Sequence, residues 1–109
     1  MSDGVHLGVI HVHDPESGWA TSPVAAVAWS DQHVVAWSWL PRSDGARQLR
    51  ADLDALEPPA RARWLNDHCE DPGIIHAVDL VDDLASDLDD AAIVTAVEDL
   101  LDAVMVSAR

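Results

Sequence analysis

The chain has 109 residues, of which 49% are hydrophobic and 24% are charged, and its formal net charge is -14. This size and composition favour one small globular domain over residues 1–109 and exclude a chain that is mostly disordered. The acidic excess argues against direct binding of nucleic acid, and no apolar run reaches the roughly 20 residues that a membrane helix needs.

Residues 1–40 predict three β-strands. Mostly β-branched or otherwise apolar residues fill positions 5–13, and a cluster of turn-forming residues follows them. A second strand is expected over residues 24–30 and a third over residues 33–40, where Pro41 ends it. These strands are short and separated by polar breaks, so we expect a three-stranded antiparallel meander.

A two-residue hairpin loop at Asp31 and Gln32 predicts the register of the second and third strands. Such a loop places Ser30 opposite His33. Small residues then lie across from large ones in the pairs Ala28–Val35, Ala26–Trp37 and Val24–Trp39. We therefore interpret Trp37 and Trp39 as parts of a packed sheet face and not as an exposed binding stripe.

After Pro41 the apolar period changes from two to nearly four, which predicts helices. The first helix carries Leu49, Leu53 and Leu56 at helical spacing and should end at Glu57. A second, short helix begins at the prolines that follow, because proline is tolerated in the first turn of a helix.

Two more helices are predicted in the C-terminal part. The third covers residues 74–88, and the fourth runs from about residue 89 to residue 107. Their apolar stripes contain, respectively, Ile74, Val78, Val81, Leu84 and Leu88, and Ile93, Val97, Leu100, Leu101 and Val104. The expected fold is thus α+β, with a meander over residues 1–40 and about four helices over residues 43–109, all packed on one sheet face.

The charge is distributed unevenly along the chain. Residues 1–64 hold 8 acidic side chains and 5 arginines, whereas residues 65–109 hold 12 acidic side chains and a single arginine. Concentrating like charge on two amphipathic helices costs self-repulsion, which favours a localised role for the acidic part. On a helix, Asp79, Asp83 and Asp87 would form a row with a spacing of about 6 Å, similar to that of successive phosphates.

This pattern predicts a non-enzymatic acidic module that binds a basic protein, such as an inhibitor, antitoxin, immunity protein or chaperone. The partner is expected to be one that itself handles nucleic acid, so that the carboxylate row mimics a phosphate backbone. The predicted partner-binding residues are Asp79, Asp82, Asp83, Asp87, Asp90, Glu98, Asp99 and Asp102.

Two readings without such a partner stay open. A run of aspartates is commonly just the solvated face of a helix. The chain also lacks lysine, and its acidity is that expected of a protein adapted to high salt, for example a structural subunit of an oligomer. The uneven distribution of charge favours the partner-binding reading over this environmental one.

A small metal-binding protein or a metal-dependent enzyme is the alternative function. His11 and His13 are two positions apart on a predicted strand and therefore point to the same face, and Asp14 follows them. Apart from these three candidates the sequence suggests no metal ligands, and it contains no phosphate-binding loop or nucleophile elbow. We therefore predict no catalytic residue and no cofactor.

Cys69 is the only cysteine, which excludes an intramolecular disulfide. The first residues do not form a basic segment followed by an apolar one, so no signal peptide is predicted and we expect a cytoplasmic protein. An open meander leaves an unpaired edge strand, and homodimerisation therefore remains an open alternative.

Overall fold

A computed structural model describes residues 4–13, 21–39, 44–70, 76–84 and 89–107 of the chain. These residues form four strands and three helices in the order β1 (Val5–His13), β2 (Thr21–Trp29), β3 (Val34–Trp39), α1 (Asp44–Asp54), α2 (Pro58–Glu70), β4 (His76–Leu84) and α3 (Asp90–Ser107). The fold is α+β, as predicted. The strands form a four-stranded antiparallel sheet with the order β3-β2-β1-β4, so the predicted three-stranded meander is extended by one edge strand.

The prediction of a third helix over residues 74–88 is wrong, because β4 lies there. Its register with β1 shifts between Leu7 and Gly8, which leaves Val81 as an extra residue in β4. This bulge explains why the spacing of apolar residues suggested a helix. Positions 78, 81 and 84 are apolar and three residues apart, as on a helix, but they lie in a strand in which Val81 is the extra residue of a bulge. The strand forms because β1 is buried in the middle of the sheet and its backbone needs hydrogen-bonding partners on both sides.

The prediction that all helices pack on one sheet face is also wrong. The helices α1 and α2 cover one face, where a core forms around Ile10, Val27, Trp29, Leu53 and Leu65. The helix α3 covers the opposite face and packs on a second core. That core consists of Val5, Leu7, Ala26, Ala28, Ile93, Val97 and Leu101.

Strand β2 explains the two layers of helices. All six residues from Val24 to Trp29 are buried, so this strand is covered on both faces. An unbroken apolar run is typical of strands buried on both sides, whereas alternation is typical of a half-exposed sheet. The sequence therefore contained a signal for a second helical layer.

The predicted register of β2 and β3 holds only beside the turn. Trp29 pairs with Val34, as the two-residue loop requires, but an irregularity then shifts the register by one residue. Beyond it, Ala28 lies opposite Ala36, and the predicted small-to-large pairs are replaced by Val27–Trp37 and Ala25–Trp39. The two tryptophans are half-buried and pack against the core beneath α1 and α2, in agreement with their interpretation as core residues.

Gly8 marks a place where the sheet and the core approach each other closely. A Cβ atom on Gly8 would lie 2.7 Å from the backbone oxygen of Asp79 and 3.2 Å from the ring of Trp29. No side chain fits at this distance, so the glycine allows the indole to approach β1 closely. Trp29 is thereby positioned beside His6, with their ring centroids 5.4 Å apart.

Candidate interaction surface

The carboxylates of β4 and of the α3 region give the C-terminal part of the described chain charge of one sign, on both sides of the sheet. Within the described residues after position 75 there are eight acidic side chains, all exposed, and no lysine or arginine. We call this set the acidic surface, and it consists of Asp79, Asp82, Asp83, Asp89, Asp90, Glu98, Asp99 and Asp102. The described arginines lie instead on α1 and α2, at positions 47, 50, 61 and 63.

Asp79 and Asp83, the described members of the predicted carboxylate row, do not lie in one row. Asp82 pairs with Leu7 of the α3-side core, whereas Asp83 pairs with His6. Because neighbours in a strand alternate between faces and the bulge at Val81 adds one residue, Asp79 lies on the α3 side and Asp83 on the α2 side. Asp87 lies outside the described residues.

The helix α3 presents its carboxylates as predicted for an amphipathic helix. Ile93, Val97 and Leu101 are buried against the sheet, while Glu98 and Asp102 are exposed on the outer side. Residues four apart on a helix are separated by about 6 Å along the axis, so this pair retains the spacing that the sequence suggested for the third helix.

The first turn of α3 uses two acidic residues for its own stability. An Oδ1 atom of Asp89 accepts a hydrogen bond of 2.8 Å from the backbone N–H of Ala92, which is the arrangement of an N-cap. Asp90 follows in the first turn, where the helix dipole stabilises negative charge. These two carboxylates therefore have a structural role besides their contribution to the acidic surface.

The metal ligands proposed from the sequence are only partly described. His11 lies on β1 with its Nε2 atom 2.8 Å from Oδ2 of Asp79, so a carboxylate contacts one of the two ring nitrogens that could bind a metal. The side chain of His13 and the whole of Asp14 lie outside the described positions. Among the described residues, no three His, Cys, Asp or Glu side chains come together as they would to hold a metal ion.

A cavity of about 300 Å³ opens between α2 and the end of the sheet where β1 begins. We call it the His6 cavity, and it is lined by His6, Trp29, Asp31, Asn66, Cys69 and Leu80. The Nδ1 atom of His6 lies 2.7 Å from Oδ1 of Asp83, and its Nε2 atom lies 3.7 Å from Oδ1 of Asp31. Two carboxylates from different parts of the chain thus flank one imidazole.

A hydrogen bond between two elements of the fold holds the residues that line the His6 cavity in place. The indole Nε1 of Trp29 donates a hydrogen bond of 2.9 Å to Oδ1 of Asn66, which connects β2 with α2. Trp29 is only 1% exposed, whereas Asp31 and Asp83 have side chains that are 63% and 64% exposed. An aromatic floor with carboxylates at the rim is suited to an organic cation, which needs negative charge and tolerates an apolar stem.

A second group of aromatic rings lies where α2 meets β4. The rings of Trp64 and His68 are stacked with centroids 3.8 Å apart, and His76 lies 5.9 Å from Trp64. Burial lowers the pKa of His76 from 6.5, the neighbouring His68 lowers it further, and Asp52 partly opposes this change. The Nδ1 atom of His68 is 2.7 Å from the backbone oxygen of Trp64, one turn earlier in α2, and the ring contacts of His76 join this pair to the edge strand.

Another cavity, of about 410 Å³, lies beside the opposite edge strand β3. Arg61 and Glu98 contribute the charges of its lining, and the remaining walls are mostly apolar. The guanidinium of Arg61 lies over the ring of Trp37 at 5.3 Å and is held by backbone oxygens of the α1 end, which gives it a structural function. This cavity combines one acidic and one basic group and has no clear charge preference.

Sequence reasoning missed the His6 cavity entirely. His6 and Asp83 are 77 positions apart, and Asp31 was interpreted only as a turn residue. The contact depends on the pairing of β1 with β4, which the predicted third helix had excluded. Of the predicted binding residues, Asp83 contacts His6 of the cavity lining, and the carboxylates of α3 lie on the other side of the sheet.

Comparison of the chain with protein-family models, with curated proteins and with solved structures found no significant match. Among the described helices, none is long and apolar enough to cross a membrane.

Proposed function

We propose that this protein is a non-enzymatic acidic module that docks on a basic protein through the acidic surface. One observation supports the proposal above the others. The described carboxylates after residue 75 are all exposed, and the described part of β4 and α3 offers no lysine or arginine to neutralise them. Charge of one sign concentrated in one part of a small protein steers a cationic partner and accelerates its association.

The arrangement of the arginines strengthens this argument. A protein that is acidic only because of its environment should carry the excess on all sides. Here the described arginines sit on α1 and α2, where Arg50 is 4.0 Å from Asp54, and α3 carries acidic groups only. Residues 44–70 hold six acidic side chains against four arginines, whereas residues 89–107 hold five acidic side chains and no arginine, so the acidic excess is larger on the α3 side of the sheet.

Mimicry of nucleic acid is a narrower form of the same proposal. It now depends on α3, where Glu98 and Asp102 are one turn apart, because the carboxylates of β4 are not in a row. Inhibitors, antitoxins, immunity proteins and chaperones remain the classes of protein for which such a surface is suited.

A pair of matched variants tests the proposal. In the first, Glu98→Gln, Asp99→Asn and Asp102→Asn neutralise the outer side of α3. In the second, three exposed carboxylates of the other helical layer are neutralised, so that the net charge changes equally. These are Asp54→Asn, Glu57→Gln and Asp67→Asn.

Each protein is immobilised and exposed to a lysate of the source cells at about 0.1 M and 1 M salt, where the Debye length is about 10 and 3 Å. We expect the unmodified protein to retain basic proteins at low salt and to release them at high salt. The α3 variant should not retain these proteins, whereas the control variant should. The affinity of the purified partner for both variants then measures the effect directly. Equal retention by the two variants would refute docking through α3 and favour environmental acidity.

A further inference from the structure

The outer edge of β4 is the most unusual feature that the acidic surface leaves unexplained. In the described part of the chain, β4 ends the sheet and no strand pairs with its outer side. Such an edge presents free backbone N–H and C=O groups that can pair with another strand. Residues 76–80 keep a regular register with β1, so this stretch is straight enough to act as a template.

The side chains of β4 add an apolar contact to this edge. Leu80 and Val81 are 53% and 52% exposed, the highest values among the exposed large hydrophobic residues. Asp79, Asp82 and Asp83 surround them in the sequence, and each of these is exposed. An apolar pair enclosed by carboxylates favours a partner that combines apolar and basic side chains.

The same carboxylates disfavour a second copy of this chain as the occupant. Pairing β4 with another β4 would bring two sets of three aspartates together, and like charges across from each other are destabilising. Charged residues on an edge strand are a usual protection against self-association. A basic strand would convert this repulsion into attraction.

The His6 cavity lies next to this edge and shares residues with it. Leu80 forms one of its walls, and Asp83 of β4 holds the imidazole of His6. A side chain that projects from a strand beside β4 toward the α2 face would pass Leu80 and meet Asp31 and Asp83. Its stem would pack on apolar groups while its charge stays near the exposed carboxylates.

We propose that an extended basic segment of the partner adds a strand to β4 and places an arginine or lysine side chain in the His6 cavity. This inference rests on the proposed function only for the sign of the partner's charge. The backbone pairing supplies affinity, and the cavity supplies the preference for a basic residue at one position.

A synthetic peptide with the sequence Thr-Arg-Thr-Val-Thr-Arg-Thr, acetylated and amidated, is the probe. Arginine and valine occupy one face of this peptide as a strand, and threonine the other. Its affinity for the full chain is measured by fluorescence anisotropy, and its position by the amide NMR shifts of β4. We expect shifts along residues 76–83 and at His6, and an affinity about tenfold lower when citrulline replaces arginine, because the charge-assisted hydrogen bonds are lost.

Two methylated peptides test the backbone pairing. The first peptide is N-methylated at the backbone amides of both arginines and of the valine. The second is N-methylated at the backbone amides of the third, fifth and seventh residues, which are threonines. Alternate residues of a strand direct their N–H groups to opposite sides, so only one peptide can keep its bonds to β4. A loss of at least about tenfold for one peptide alone supports strand addition. Equal affinities, high or low, would overturn it.

Three single variants of the protein test the cavity. Asp83→Asn and Asp31→Asn each remove one charge at the His6 cavity, and Asp99→Asn removes one charge on the far side of the sheet. We expect the first two to weaken peptide binding about tenfold and Asp99→Asn by less than about twofold, since an exposed distant charge contributes little. Similar losses for Asp83→Asn and Asp99→Asn would show that only the overall charge attracts the peptide.

The outcomes separate this inference from the proposed function. If a purified basic partner binds in an α3-dependent way but the peptide leaves β4 unshifted, strand addition is overturned and acidic docking stands. If the peptide binds to β4 as described but neutralising α3 has no effect on any partner, the module acts through its edge strand and docking through α3 fails.

Discussion

The two faces of the sheet are built from different residues. Under α1 and α2 the core contains Trp29 and is bordered by half-buried Trp37, Trp39 and Trp64. Under α3 the sheet contributes Val5, Leu7 and alanines at positions 26 and 28, and the helix contributes aliphatic side chains only. Large aromatic groups bury more apolar surface per residue than alanine or valine does, so we expect the α2 side to contribute more to stability.

The charges follow the same division. The arginines of the described chain belong to the aromatic side, whereas the outer surface of α3 is purely acidic. Because the tryptophan core and the carboxylates of α3 are located in different layers, those carboxylates can change without disturbing the tryptophan core. This separation is useful for a protein whose surface has to match a partner, and the following predictions test it.

The largest difference is expected between Trp29→Ala and Val97→Ala. Both residues are buried, with exposures of 1% for each. We expect Trp29→Ala to lower the free energy of unfolding by about 3 to 5 kcal/mol and Val97→Ala by about 2 kcal/mol, because less apolar volume is lost on the α3 side. Urea denaturation measures both, and equal losses would contradict the division between the two faces.

Arg61 is expected to have the next largest effect, although it is charged. Its Nε atom donates a hydrogen bond of 2.8 Å to the backbone oxygen of Leu53, and its Nη2 atom donates one of 2.9 Å to that of Leu56. Arg61→Ala should cost about 2 to 3 kcal/mol, since the guanidinium also covers Trp37. Arg63→Ala, an exposed neighbour, should change stability by less than about 0.5 kcal/mol. Thermal denaturation measures the stability of both variants. Similar losses for the two would show that Arg61 is only a surface charge.

A smaller effect is expected on the acidic side. Asp89→Ala removes the N-cap of α3 and should cost about 1 kcal/mol. Asp99→Ala changes the net charge equally but should cost nothing, because no cap is lost and repulsion on α3 decreases. Chemical denaturation of both proteins compares them. An equal loss for Asp99→Ala would mean that the carboxylates of α3 stabilise the fold, contrary to their proposed role in binding.

The smallest effect is expected from His76, at the join between α2 and β4. Burial lowers the pKa of this imidazole below 6.5, so the folded state binds fewer protons than the unfolded state in this range. Stability should therefore fall as the pH falls below about 6.5, and His76→Gln should make this fall less steep. Asp52→Asn should make it steeper, because Asp52 raises the pKa of His76. Unfolding curves at several pH values test both directions. The same dependence of the unfolding free energy on pH in the unmodified protein and in both variants would contradict the role given to His76.

Local signals were sufficient for much of the fold. Strands β1 to β3 and helices α1, α2 and α3 agree with the patterns of apolar residues and turn formers to within a few residues. These elements are determined by nearest neighbours along the chain, and their periods are regular. The turn between β2 and β3 was placed correctly for the same reason, and only the irregularity after Trp29 shifted the pairs beyond it.

The segment that became β4 could not be assigned from its own period. Its apolar residues fit a helix as well as a bulged strand, although the Pro72-Gly73 pair before it favours a turn. This segment forms a strand because β1 needs a hydrogen-bonded neighbour on its second side along its full length. That requirement is tertiary, since the partner is supplied from more than 60 positions away.

The candidate site divides in the same way. That the protein is acidic, and that its acidity is concentrated in the C-terminal part, follows from the amino-acid sequence alone, because charge is a property of composition. Which carboxylates lie together was decided by the pairing of β4 with β1 and by the bulge at Val81, which direct Asp79 to His11 and Asp83 to His6. One extra residue in a strand reverses the face of every side chain beyond it, and no local pattern records that reversal.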